Sequence, residues 1–317
     1  MIMGGETKPY AAYSTSSGGV DVYLLRSLLF IPGNRPNMLE KGSNIPADAL
    51  IPDLEDSVPP GEKVNARQVT AQFLPILSQK VPHLFVRING VGTGLAWDDL
   101  KAVVSKHIRG ISIGKMVTAE MARELDVMIT TLERERGLEV GSIKVIPWIE
   151  TAEGIANALG IAKAPRMLGI AFGAEDYTAD MGVPRIKDSY QIETAQAMLA
   201  IAARAAGILA LDTPEPDFKD NNRLVEESNR ARALGYKGKF CIHPNQVASV
   251  NDVFRPSKEE VEHARKVVEA FEAAGKQGSA AISVDGKMVD TPVWKRCKEL
   301  LEQNAFIEQR ERTANKP

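Results

Sequence analysis

Glu150 and Asp176 each stand just after a predicted strand, in Glu150-Thr151 and Gly173-Ala174-Glu175-Asp176. Carboxylates on neighbouring loops can share a hard divalent cation whose other positions are filled by water and substrate oxygens. Equally, Glu150 can cap the helix that follows it and Asp176 can cap a turn. Of the four histidines, His83, His107 and His263 fall at strand starts or on helices, so a zinc site is not expected and oxygen ligands favour Mg2+ or Mn2+. Asp53, Glu55 and Asp56 crowd the end of another strand, and three acids this close need compensating cations. They fit a network with Lys63 and Arg67, or a supporting role in which Glu55 faces a site and one Asp is tied to backbone. Arg87 ends a strand and can hold a substrate carboxylate or a developing oxyanion, or simply pair with Asp53 or Asp56. Arg35 and Lys41 flank a turn that enters a helix at Pro36, where two cations can hold a phosphate. Lys115 suits either a Schiff-base lysine or a counter-ion for the acids. His243 before Pro244 suits a loop-ordering hydrogen bond, and Asp290 alone reads as a surface acid.

Bringing these scattered residues together requires a fold whose strand ends meet. Apolar runs at Arg26–Pro32, Ala49–Leu54, Leu84–Ile88, Gly110–Met116, Ile143–Ile149, Met167–Phe172, Ile208–Asp212 and Lys239–Ile242 read as eight strands. Helical patterns separate them at Glu62–Leu77, Trp97–Ser105, Thr118–Arg136, Ala152–Ala162, Tyr190–Ala206 and near Lys219–Leu234. Eight strand–helix units predict a (β/α)₈ TIM barrel over residues 25–255, with every polar cluster at the C-terminal mouth. A doubly wound open sheet is the alternative. Residues 1–24 read as a flexible tail. Residues 256–317 read as a small helix–hairpin–helix appendage or lid, too small to fold alone and expected to pack on a neighbouring subunit. It comprises the helix Lys258–Ala274 capped by Ser257, a hairpin around Asp285-Gly286, the helix Val293–Asn304 and a polar tail from Glu308.

The 317 residues are 44% hydrophobic, enough for a large core, and the formal net charge of −2 excludes the basic field of a nucleic-acid binder. No stretch reads as a signal peptide or a membrane span. The two cysteines, Cys241 and Cys297, match no metal or redox spacing, and a cytoplasmic protein with reduced thiols is expected.

Seven segments in this order, RSLLFIPGNRPNMLEKG, DLEDSVPPGEKVNAR, FVRING, IETAEGIANA, FGAEDYTADMG, GYKGKFCIHPNQV and DGKMVDTPV, resemble the citrate lyase beta subunit family, which includes malyl-CoA and citramalyl-CoA lyases. The resemblance runs from Arg26 to Leu301. It implies a Mg2+-dependent barrel, a homotrimer or hexamer, that cleaves a 3-hydroxy-acid CoA thioester of the citramalyl, malyl or citryl type to acetyl-CoA and a 2-oxo acid. A thioesterase, or a citrate lyase beta subunit acting on acyl-carrier-protein thioesters, are the alternatives. By the same resemblance Glu150 and Asp176 fall on metal ligands and Arg87 on an arginine at the thioester. Phe30, Arg35 and Lys41 fall on CoA contacts, and Asp290 on an acid delivered into a neighbouring subunit's site. His243 is grouped with the CoA-binding residues, and Asp53, Glu55, Asp56 and Lys115 are placed behind the reacting groups. Two departures stand out. Pro52 is expected to disturb its strand's ladder, and Ile113-Gly114-Lys115 replaces a commoner Pro-Lys pair.

Overall fold

The computed structural model describes residues 23–186, 190–276 and 281–314. Eight strands form in the order expected: β1 (Ser27–Pro32), β2 (Ala49–Asp53), β3 (His83–Ile88), β4 (Gly110–Ile113), β5 (Lys144–Ile149), β6 (Gly169–Phe172), β7 (Leu209–Asp212) and β8 (Gly238–Cys241). Each pairs in parallel with the next, and β8 returns to β1 with Lys239 opposite Ser27 and Phe240 opposite Leu28. This is a closed (β/α)₈ barrel, not an open sheet. The helices around it are α1 (Pro36–Gly42), α2 (Lys63–Lys80), α3 (Ala96–Val103), α4 (Ala119–Glu135), α5 (Ala152–Ala156), α6 (Ala158–Ala162), α7 (Ala174–Asp180), α8 (Tyr190–Ala206), α9 (Asn221–Leu234) and α10 (Pro244–Val253).

The strands are buried on both faces, which is why they read as near-continuous apolar runs. Outward side chains such as Leu29, Ile31 and Val86 join the helices' apolar faces in one core. Inside, rings from β1, β5 and β8 meet across the barrel: Phe30 and Phe240 stack at 5.3 Å, and Trp148 lies 4.3 Å from Phe240. The Trp148 indole donates to Ser112 Oγ at 2.7 Å, so the one polar group of that cluster is satisfied.

Several local expectations need correction. Strand β4 stops at Ile113 instead of Met116 because Lys115 takes a left-handed φ of 55°, which ends a strand. The helix expected over Ala152–Ala162 is two, α5 and α6, parted at Asn157, whose side chain donates to Val117 O. Helices α7 and α10 were not expected at all. Pro52 acts as foreseen but locally: the β1–β2 ladder runs through it, while the β2–β3 ladder pairs Ala49, Leu50 and Asp53 only.

The chain divides into two compact units, the barrel Leu25–Phe254 and a second that starts at Arg255 and includes Tyr23 and Leu24. Apart from those two residues, which are buried, the expected N-terminal tail lies outside the described residues. In the second unit α11 (Lys258–Gly275), the hairpin β9 (Ile282–Val284) and β10 (Lys287–Val289), and α12 (Thr291–Ala314) share a small core of Ala264, Val267, Val289 and Cys297. The polar tail expected from Glu308 is helix as far as Ala314. Ile307 is fully buried there and Glu311 pairs with Arg255 at 3.0 Å, so packing and charge extend the helix. No helix among the described residues is long and apolar enough to cross a membrane.

Candidate active site

The C-terminal strand ends surround a cavity of about 730 Å³. Phe30 and Trp148 line its wall, Arg87 and Asp53 come from β3 and β2, and Glu150, Asp176, Lys41 and His243 come from the loops and helices that follow strands. Asp56 also lines it; Arg35, Glu55 and Lys115 do not.

Neither acid of the central pair is spent on capping. Thr151, not Glu150, caps α5, its side chain accepting the Gly154 N–H at 3.0 Å. The N-cap of α7 is Gly173, and Asp176 sits in that helix's first turn, exposed to the cavity. Glu150 is buried, with Oε1 accepting the Lys115 N–H at 2.5 Å. Burial, and then the charge of Asp176, push its carboxyl up to about 8, against the pull of the Lys115 hydrogen bond. Backbone crowds it closely. A Cβ on Gly173 would stand 2.5 Å from Glu150 Oε2, and one on Gly114 would stand 3.1 Å from Oε1.

Among the described residues neither Glu150 nor Asp176 pairs with a lysine or arginine, and no group of three or more His, Cys, Asp or Glu could hold a metal. A buried carboxylate that feels the charge of a second one across the same cavity, neither of them ion-paired with a side chain, fits a hard divalent ion that keeps several waters. The donor set is all oxygen, which suits Mg2+ or Mn2+ and not a softer metal.

Beside this pair Arg87 is locked as a fork. Its Nε and Nη2 donate to the two oxygens of Asp53 at 2.7 and 2.6 Å. Its Nη1 lies 3.1 Å from Asp56 and 3.2 Å from Glu55, and its Cζ stands 4.4 Å from the centre of the Phe30 ring. Asp53 is fully buried and also accepts the N–H groups of Glu55 and Ser57. Burial opposes its ionisation, but Arg87 outweighs that and holds the carboxyl below its usual range. Glu55 goes the other way. Burial carries it up to about 7, Arg87 opposes this, and Asp56 and Asp53 reinforce it. Of the network imagined for these acids, Lys63 is present, but it donates to the carbonyls of Leu54 and Glu55; Arg67 pairs instead with Asp99 at 2.6 Å.

The remaining candidates occupy plainer positions. Lys115 donates its backbone N–H to Glu150, and the charge on its exposed side chain also favours the ionised forms of Glu150 and Glu55, as expected of a counter-ion. Arg35 is the N-cap of α1, but Lys41 lies in that helix's last turn, so the two cations bracket a short helix and do not share its N-terminus. His243 caps α10, its Nδ1 accepting the Asn245 N–H at 3.2 Å, and its ring stacks on Phe218 at 4.5 Å. Asp290 belongs to the second unit, where Oδ1 accepts the Val293 N–H at 3.2 Å at the start of α12. Sequence reasoning passed over Trp148, seen only as a strand residue, and Thr213, whose Oγ1 accepts the Ala174 N–H at 3.3 Å and anchors α7.

Known proteins resemble the chain along most of its length. Residues 26–244 match the model of the HpcH/HpaI aldolase/citrate lyase family. The chain is 39% identical to citrate lyase subunit beta of Leuconostoc mesenteroides over 88% of its own length and 92% of the relative's. It is 34% identical to L-malyl-CoA/beta-methylmalyl-CoA lyase of Cereibacter sphaeroides, over 89% and 95%. The crystal structure of CitE from Mycobacterium tuberculosis in complex with magnesium, acetoacetate and coenzyme A superposes with a TM-score of 0.73 at 31% identity, covering 88% of this chain and 97% of that one. A closed barrel matched by the family model from residue 26 to residue 244, and by relatives along most of its length, places the chain in the HpcH/HpaI aldolase/citrate lyase family.

Proposed function

We propose that this lyase is a Mg2+-dependent CoA-ester lyase that splits a 3-hydroxy-acid thioester of the citramalyl, malyl or citryl type into acetyl-CoA and a 2-oxo acid. The observation that carries the reading is the buried Glu150 within reach of the Asp176 charge, neither acid ion-paired with a lysine or arginine among the described residues. A relative solved with magnesium, acetoacetate and coenzyme A supports it. Glu150 and Asp176 would hold the ion, which when bound acts as a Lewis acid and lowers the pKa of the substrate hydroxyl.

In the cleavage the hydroxyl loses its proton and becomes the carbonyl of the 2-oxo acid. The bond to the thioester's α-carbon breaks, and its electron pair passes into an enolate. Arg87 would donate to the thioester oxygen as that charge develops. The Asp53 fork fixes its plane and the Phe30 ring lies against it, so little reorganisation is needed. Asp290 would return a proton to the enolate carbon, acting in the site of a neighbouring copy in a trimer or hexamer. Its support is the DGKMVDTPV resemblance alone. Arg35 and Lys41 would hold CoA phosphates, with Phe30 and His243 along the wall, binding energy remote from the reacting carbon. Two free, buried cysteines suit the cytoplasm.

A second reading has one specific support. The relative at 39% identity is by name a subunit, so the acyl group could arrive on an acyl carrier protein within a complex. A coupled assay with Mg2+ against citramalyl-, malyl-, methylmalyl- and citryl-CoA tests the first reading. Turnover of at least one, abolished by EDTA, is expected. Turnover of carrier-bound thioester alone would favour the second reading, and free CoA without acetyl-CoA would mean hydrolysis.

A further inference from the structure

Helix α7 carries Asp176 and is only seven residues long, without a side-chain N-cap. Two hydrogen bonds fix its beginning, Gly173 N–H to Ile149 O at 3.2 Å and Ala174 N–H to Thr213 Oγ1 at 3.3 Å. The inner face of the helix is packed into the barrel core through Ala174 and Tyr177, the latter against Phe172 at 5.6 Å. Two further contacts hold its exposed side, the side that carries Asp176. At the far end, Asp180 Oδ2 accepts the N–H of Ala152 at 2.7 Å. Asp180 lies four residues beyond Asp176, on the same helical face, and Ala152 lies two residues beyond Glu150. One carboxylate therefore ties the helix of one acid to the loop of the other. At the near end, Glu175 Oε1 accepts from Arg185 Nη1 at 2.7 Å. The Arg185 side chain is 5% exposed, and its Nη2 reaches Glu227 of α9 at 3.3 Å, which anchors the arginine from behind.

We propose that Asp180 and Arg185 are positioning residues that, beyond the packing of Ala174 and Tyr177, hold the exposed face of α7 and with it the spacing of the acid pair. The inference rests on reading Glu150 and Asp176 as metal ligands. Groups hydrogen-bonded to metal ligands typically govern metal affinity by about 10–100-fold, and Asp180 and Arg185 act one contact further out, through Ala152 and Glu175, which puts their effect at the low end. The test is direct titration of the metal-free protein with Mn2+, followed by calorimetry and electron paramagnetic resonance, without substrate. Asp180→Ala weakens Mn2+ binding by about tenfold or more. Asp180→Asn, which keeps an acceptor oxygen, stays within about threefold of wild type. The melting temperature of the metal-free protein hardly moves in either variant, because Asp180 is exposed and supports no core. Should Asp180→Ala fail to fold, Arg185→Lys carries the same expectation, since an ammonium cannot span Glu175 and Glu227 as the fork does. Wild-type Mn2+ affinity in folded Asp180→Ala and Arg185→Lys, with binding lost in Asp176→Ala, overturns the positioning role alone. Wild-type affinity in Asp176→Ala overturns the metal reading and the inference with it.

Discussion

At the residue scale, Glu150 links metal binding to pH. Its carboxyl is pushed up to about 8 by burial and by Asp176, whereas its ordinary value is 4.5. Across that window the folded, metal-free protein retains a proton that the unfolded chain has lost. Stability from this group is therefore greatest at low pH and falls as pH rises, by on the order of a few kcal/mol. A bound cation favours the ionised form and removes the Glu150 share of the slope. Melting temperatures in EDTA should decline between about pH 5 and 8. The Glu150→Gln variant, or saturating Mg2+, should make that decline shallower, leaving the part contributed by Glu55, itself pushed up to about 7, and equal profiles in wild type and Glu150→Gln would refute the assignment. Arg87 and Arg35 differ in kind. Arg87→Lys keeps a charge but loses the fork on Asp53, and kcat should fall by about a hundredfold. Arg35, proposed to hold a CoA phosphate, does not line the cavity, so Arg35→Ala should raise KM with kcat nearly unchanged. Steady-state kinetics on the best thioester separates the two.

At the element scale, strand ends and glycines decide what the acids can do. Gly173 has an unstrained φ of −104°, yet a Cβ there would meet Glu150 Oε2 at 2.5 Å and Glu150 Cβ at 2.7 Å. Gly173→Ala should therefore displace Glu150 and abolish Mn2+ binding while the barrel stays folded; circular dichroism and Mn2+ titration check both halves. The eight strands were legible because burial on both faces makes them apolar runs, and the acid pair was legible because such strands deliver their C-terminal ends to one mouth. Other elements left no such trace. Helix α7 is too short for an apolar period, and α10 is capped by a histidine, which is no common N-cap residue. The Lys115 side chain was legible as a counter-ion, but its N–H bond to Glu150 was not, since that N–H is aimed by a left-handed φ that a lysine rarely adopts. Arg67 sits near the acids in sequence, yet its helix turns it towards Asp99.

At the scale of the whole molecule, the division into two units sets the question of where Asp290 acts. If it completes a neighbouring copy's site, Asp176→Ala and Asp290→Ala chains are each inactive alone, but co-assembled in equal amounts they regain about a quarter of wild-type activity, the chance that both contributing copies are intact. If each site draws on one chain only, mixing restores nothing. The barrel itself makes a simpler demand, since everything proposed for it needs an ion between two carboxylates. The most direct measurement is an anomalous difference map from crystals soaked in Mn2+. The account predicts a peak about 2.1 Å from a carboxylate oxygen of Glu150 and from one of Asp176. A peak held by Glu55 and Asp56 instead, or a fully occupied ion elsewhere with none between Glu150 and Asp176, would contradict it.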